Sequence, residues 1–143
     1  AYSKTEVDTK INNFKTSLPG IVPTFSSGFM NYNTNPTSTN YCYVERINGM
    51  VGLYGAITNQ SVFNVGDGNL LIARIPSGYR PRRRVTETMP GSNGAIFNLY
   101  IDSDGAVIIS RYLGSSSTSG LANIQTPVGA WLVTNAMWVG EDI

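Results

Sequence analysis

Four arginines within five positions, Arg80, Arg82, Arg83 and Arg84, are the densest charge in a chain of 143 residues. Guanidinium groups gathered so closely suit an anionic partner, because arginine grips phosphate oxygens bidentately. The plainer reading is a solvated loop, or pairing with Glu87 or Asp67 between subunits, and isolated basic runs favour it. Asp102 and Asp104 are spaced like paired carboxylates for glycoside hydrolysis or like ligands for calcium. The run Asp102-Ser103-Asp104-Gly105 lacks the later acid of a calcium loop, however, and Asp and Gly in this order make a turn. Trp131 and Trp138 are seven positions apart, an odd step that puts them on opposite faces of one strand. One of them then belongs at an interface or a binding surface. Sugar binding asks for an aromatic face beside amide and guanidinium groups. Trp131 with Asn135 offers one such group, and Asn98, Tyr100 and Arg111 a second.

Whole chemistries are excluded by two counts. The chain has no histidine, so no Ser-His-Asp triad, Cys-His pair or histidine metal site is available. It has one cysteine, Cys42, so neither an internal disulfide nor a thiolate metal cluster forms within it. Cys42 reads as a small apolar core residue. No lysine follows Lys15, which removes Schiff-base chemistry from the rest of the chain. No cofactor and no metal are expected. Charged residues make up 13% and the net charge is +1, which gives no general pull towards nucleic acid or membrane. No run reaches the length of a membrane span.

The elements that must position these groups are read from periodicity. Over residues 1–18 the apolar side chains Val7, Ile11, Phe14 and Leu18 recur at gaps of four, three and four, the seam of a coiled coil. Ser3-Lys4-Thr5-Glu6 reads as a capping box, and Pro19-Gly20 as the stop. So short and narrow a helix needs a partner, and its seam suits a bundle of copies better than a globular surface. The chain opens at Ala1 without methionine or signal peptide and reads as the end of a longer protein, cut at a helical stalk. The expected organisation is a helical neck over 1–18, packing against copies of itself, and a β-rich head over 19–143.

Beyond the neck, short strands alternate with turn signals. They are expected over 21–30 (interrupted), 41–47, 50–57, 61–65, 69–75, 84–89, 95–101, 106–112 and 130–139. The turns fall at Asn48-Gly49, Gly66-Asp67-Gly68, Pro76-Ser77-Gly78 and Asp102 to Gly105. Polar loops fill 31–40 and 114–120. Strands at this spacing without a second helix predict an all-β antiparallel sandwich or barrel. A two-residue turn at Asn48-Gly49 pairs Ile47 with Met50 and Tyr43 with Tyr54. One face of that hairpin then carries Tyr41, Tyr43, Glu45, Gly52 and Tyr54. The other carries Cys42, Val44, Val51, Leu53 and Ile57, with Arg46 nearest the turn. The tyrosine face suits either a subunit interface or a sugar platform. In the second hairpin, Phe97, Leu99 and Ile101 are expected to share a face with Ala106 and Ile108. Asn98, Tyr100 and Asp102 are expected to share the other face with Val107, Ile109 and Arg111, unless a bulge shifts the pairing.

The stretch 69–83, NLLIARIPSGYRPRR, ends a strand in I-P-S-G-Y-R-P. It resembles an element of the C-terminal heads of receptor-binding and tail-fibre proteins of siphophages that infect Gram-positive bacteria. The aliphatic hairpin around Asp-x-Asp-Gly, the closing strand, and the opening A-Y-S-K-T-E-V-D-T-K-I fit the same order of stalk and then head. Arg80 to Arg84 carry more charge than that pattern. The resemblance implies a homotrimeric, jelly-roll-like head at the distal tail or baseplate of a virion. It would contact other tail proteins and bind a host saccharide, wall teichoic acid or polysaccharide, without cleaving it. The residues expected to carry that binding are Trp131, Asn135, Asn98, Tyr100, Arg111, Tyr43 and Tyr54. A carboxylate-dependent polysaccharide depolymerase and a purely structural tail-tip connector are the alternatives.

Overall fold

The structure is a computed structural model that describes residues 2–61, 69–113 and 131–143. The helix α1 (Lys4–Lys15) starts where the capping box places it, with Ser3 Oγ accepting from the Glu6 amide at 3.1 Å. It ends earlier than the periodicity suggests. Thr16 is already extended, and Leu18 leaves the helical seam to open strand β1 (Leu18–Ile21). The cause is Pro19, whose ring disfavours helical backbone at the residue before it. Leu18 packs against the core of the head instead.

The remaining strands are β2 (Thr24–Phe25), β3 (Phe29–Asn31), β4 (Tyr43–Ile47), β5 (Met50–Tyr54), β6 (Ala56–Asn59), β7 (Asn69–Arg74), β8 (Val85–Pro90), β9 (Ile96–Ile101), β10 (Ala106–Leu113), β11 (Trp131–Val133) and β12 (Ala136–Val139). They form three antiparallel sheets, ordered β1-β4-β5-β12, β2-β7-β10-β9-β8 and β11-β6-β3. One buried cluster draws on all three, with Val51, Leu53, Ile57, Leu99, Ile101, Ile109 and Leu132 closed to solvent. The architecture is all-β and compatible with a sandwich. The strand expected over 61–65 falls outside the described residues beyond Ser61, as do the 66–68 turn, the 114–120 loop and Ala130.

Two strands that read as continuous are each broken at one corner. Gly55 sits at φ +87° and separates β5 from β6; a Cβ there would meet the Tyr41 carbonyl oxygen at 2.2 Å. Opposite it, Thr134 and Asn135 separate β11 from β12. The Thr134 amide donates to the Gly55 carbonyl at 3.0 Å, and the Gly55 amide donates to Asn135 Oδ1 at 3.0 Å. The paired strands therefore change sheet together, which is how sandwich corners are built. Trp131 and Trp138 consequently belong to different strands in different sheets. Trp138 is in the core and donates from Nε1 to the Tyr79 carbonyl at 2.8 Å, whereas Trp131 is half-buried.

The I-P-S-G-Y-R-P segment is a structural knot. Arg46 is wholly buried, and its guanidinium donates to the carbonyls of Gly78 at 3.0 Å, Glu141 at 2.8 Å and Asn13 at 3.3 Å. Burial pulls its pKa down, and the Glu141 carboxylate opposes that pull. The same carboxylate accepts from the Gly78 and Arg80 amides, while Tyr79 Oη donates to the Pro19 carbonyl at 2.6 Å. Asn13, the buried residue of α1, donates to Asp142 at 2.6 Å and accepts from the Ile143 amide. One charge thus ties helix, hairpin, knot and final strand together.

Of the 80–84 run, Arg80, Arg82 and Arg84 have partners within the chain. Arg82 meets Asp142 at 2.7 Å, and Arg84 holds Asp102 through Nη2 at 2.9 Å. Arg80 Nε donates to the Ile75 carbonyl at 2.8 Å. Asp67 is outside the described residues. Asp104 accepts from the Ala106 amide at 3.0 Å and pairs with Arg74 at 3.5 Å. The two carboxylates are thus turn and pairing groups. Among the described residues no cluster of three or more His, Cys, Asp or Glu side chains is placed to hold a metal, and no helix is long and apolar enough to cross a membrane.

Candidate functional site

The β4–β5 hairpin adopts the register its Asn-Gly turn dictates, with Ile47 opposite Met50 and Tyr43 opposite Tyr54. Its core face is as read: Cys42, Val44, Arg46, Val51, Leu53 and Ile57 are closed to solvent. On the outer face the ring centroids of Tyr43 and Tyr54 are 5.0 Å apart, and Tyr41 follows at 6.3 Å from Tyr43. Two glycines let these rings approach the sheet. A Cβ on Gly20 would stand 3.2 Å from the Tyr43 ring, and one on Gly52 would stand 2.2 Å from the Tyr54 hydroxyl. Burial, followed by Glu45 and Tyr43, pushes the Tyr54 pKa above its ordinary value. Its hydroxyl stays protonated at neutral pH, able to donate and accept.

Tyr43 and Tyr54 line an open groove of about 760 Å³ together with Asn135, Glu87 and the 36–39 segment. The volume lies in the range of small-ligand sites. Asn135 Oδ1 is committed to Gly55, and among the described residues its amide nitrogen has no partner. The 36–39 segment is braced by its own side chains. Asn33 Oδ1 accepts from the Asn35 amide at 2.9 Å, Asn35 Oδ1 from the Thr37 amide at 3.1 Å, and Ser38 Oγ from the Asn40 amide at 3.2 Å. Such Asx and Ser turns fix a loop without regular structure. Both ends of the loop are tied to Ala56: the Tyr32 amide donates to its carbonyl at 3.1 Å, and its amide donates to the Asn40 carbonyl at 3.1 Å. The loop is therefore anchored at the sheet-switching corner.

A smaller hollow of about 170 Å³ is lined by Tyr32, Asn40, Ala56, Trp131 and Val133. Trp131 and Val133 share the outer face of β11, where they oppose Thr58 and Ala56.

Of the seven residues expected to bind saccharide, the structure brings Tyr43, Tyr54 and Asn135 together. Trp131 does not share their face, because the corner intervenes, and it lines the smaller hollow instead. Asn98 and Tyr100 are neighbours on β9, opposite Ser110 and Ile108 and flanked by Thr88 and Thr86 of β8. Arg84 lies 4.7 Å from the Tyr100 ring centroid. The expected alignment of this hairpin is off by one residue. Gly105 at φ +88° adds a bulge after the Asp102 turn, so Ile101 pairs with Val107 and not with Ala106. Val107 and Ile109 thereby join Phe97, Leu99 and Ile101 in the core. Arg111 sits at φ +51° where the β9–β10 register shifts again, and is not aligned with Asn98 and Tyr100 as expected. Glu87, Tyr32 and the 36–40 loop were missed. The loop's run of Asn, Thr and Ser was a composition signal, but nothing local placed it beside the tyrosines.

The other end of the same sheet face differs. Ile47, Met50 and Val139 are between 42 and 54% exposed, and Phe14 of α1 is 69% exposed. Phe14, Met50 and Val139 border a hollow of only about 120 Å³. Val7 and Ile11 also face solvent. Among the described residues the α1 stripe stays largely open to solvent, since the helix is held through Asn13 and its C-terminal end.

No family model, no curated protein and no solved structure matches this chain.

Proposed function

We propose that this chain is the receptor-binding head of a phage tail fibre, a homotrimer at the distal tail or baseplate that binds a host cell-wall saccharide without cleaving it. The observation that carries the reading is the Tyr43–Tyr54 pair, lying against glycines at the floor of an open groove beside Asn135. Flat aromatic rings stack on sugar faces, and hydroxyl and amide groups at their rim exchange hydrogen bonds with sugar hydroxyls. Among the described residues lining the groove Glu87 is the one acid, whereas hydrolysis by paired carboxylates asks for two. The exposed stripe of Val7, Ile11 and Phe14 supports assembly through the neck, and the resemblance at 69–83 supports the tail-tip setting and a jelly-roll-like head. Several weak sites on one assembly would raise avidity through effective concentration.

The test is binding of the full chain to purified wall fractions from a panel of Gram-positive bacteria. Saturable binding to a wall glycan, weakened by Tyr54→Ala and without release of reducing ends, is expected. Absence of binding across the panel contradicts the reading, and release of reducing ends favours the depolymerase.

A further inference from the structure

We infer that the ligand is an uncharged oligosaccharide that occupies two hollows in series, the tyrosine groove and the Tyr32–Trp131 hollow, and not a polyol phosphate. This rests on the saccharide reading above and narrows it. The first support is charge. Among the described residues lining the two hollows, Glu87 is the one charged side chain. Phosphate recognition uses arginine or lysine, which neither lining contains. Arg74, Arg82 and Arg84 are engaged by Asp104, Asp142 and Asp102. A phosphodiester in the groove would face the Glu87 carboxylate with no compensating cation among the described lining residues.

The second support is continuity. Thr39 lines one hollow and Asn40 the other; Gly55 lines one and Ala56 the other. Val133 and Asn135 divide in the same way around Thr134. Neighbouring residues of the same three segments thus line one hollow and then the other, which sets the two hollows on either side of the corner. Each has its own aromatic floor. Thr58, opposite Trp131, lies four positions from Tyr54, on the order of 10 Å along the kinked strand. One pyranose ring does not reach both floors, but a short chain of them does.

The experiment titrates the full chain with two probes. One is a neutral wall glycan, freed of phosphodiesters and cut to graded lengths; the other is poly(glycerol phosphate). Neutral fragments are expected to bind more tightly as they lengthen, and poly(glycerol phosphate) is expected to bind weakly or not at all. Trp131→Ala should lower affinity for the longer fragments about tenfold and leave the shortest binding fragment unchanged. Tyr54→Ala should weaken binding at every length. Trp131→Phe and Tyr54→Phe, which keep the rings, should restore binding and so separate stacking from misfolding. Poly(glycerol phosphate) binding as tightly as neutral glycan overturns the inference on charge. A Trp131→Ala loss that is independent of length, or no loss, overturns the two-hollow site. Failure of every probe, neutral and anionic, overturns the saccharide reading itself.

Discussion

The two ends of the outer face of the β1-β4-β5-β12 sheet share strands, register and pleat, yet they present opposite surfaces. At the helix-proximal end, Ile47, Met50 and Val139 stand exposed beside Phe14, with little concavity between them. At the far end, Tyr43 and Tyr54 lie over Gly20 and Gly52, and the 36–39 loop rises beside them to wall a groove. Backbone does not make the difference. It comes from where glycine removes a side chain, so that a ring can lie down, and from where a second element leaves the sheet uncovered. An exposed apolar surface suits another copy of the chain, and a roomy aromatic groove suits a small ligand. Assembly at one end and recognition at the other is the division we propose.

The largest expected effect comes from breaking the scaffold behind the apolar end. Arg46→Ala strips the carbonyls of Gly78, Glu141 and Asn13 of their buried donor. It should cost on the order of 3–5 kcal/mol in urea unfolding, because buried unpaired groups are expensive. A loss below about 1 kcal/mol would mean that water replaces the guanidinium at little cost. Next is the groove. Gly52→Leu cannot coexist with the Tyr54 ring in place, so glycan affinity should fall by more than about tenfold while molar mass stays unchanged. Retained affinity would show that the rings do not form the binding floor.

Phe14→Asp together with Met50→Glu should have the converse effect. By light scattering the unmodified chain should weigh 46.5 kDa, three times its 15.5 kDa, and the variant should fall towards 15.5 kDa while still binding short glycans. An unmodified chain that is monomeric at all concentrations would remove the apolar end from assembly. The smallest effect is behind the tyrosines. Burial pushes the Cys42 thiol up from 9.0 to about 12, with Thr134 pulling slightly the other way. The unfolded thiol ionises first, so its contribution is complete below pH 9 and is lost as pH rises towards 12. The stability gap between wild type and Cys42→Ala should therefore narrow above pH 9. A constant gap would mean that the thiol ionises equally in both states.

The two hairpins show what was legible in the sequence. Asn48-Gly49 admits one tight geometry, so the tyrosine pair and its buried reverse face could be read residue by residue. Asp102 to Gly105 admits a bulge, and one extra residue moved Val107 and Ile109 into the core and left Arg111 out of line. The corner was not legible, because Gly55 looks like an ordinary strand glycine until Tyr41 closes over it. That corner separates Trp131 and Asn135, which read as sharing one face and instead line different hollows. Glu87 and Tyr32 come to the site through tertiary contacts that no local pattern announces.

The most direct test of the division is amide hydrogen exchange of the full chain with and without neutral wall glycan. The account predicts slowed exchange over 36–41 and at Tyr54 and Gly55 when glycan is added, with α1 and 47–50 unchanged. Slowing confined to α1 and 47–50, with the tyrosine groove unaffected, would contradict it.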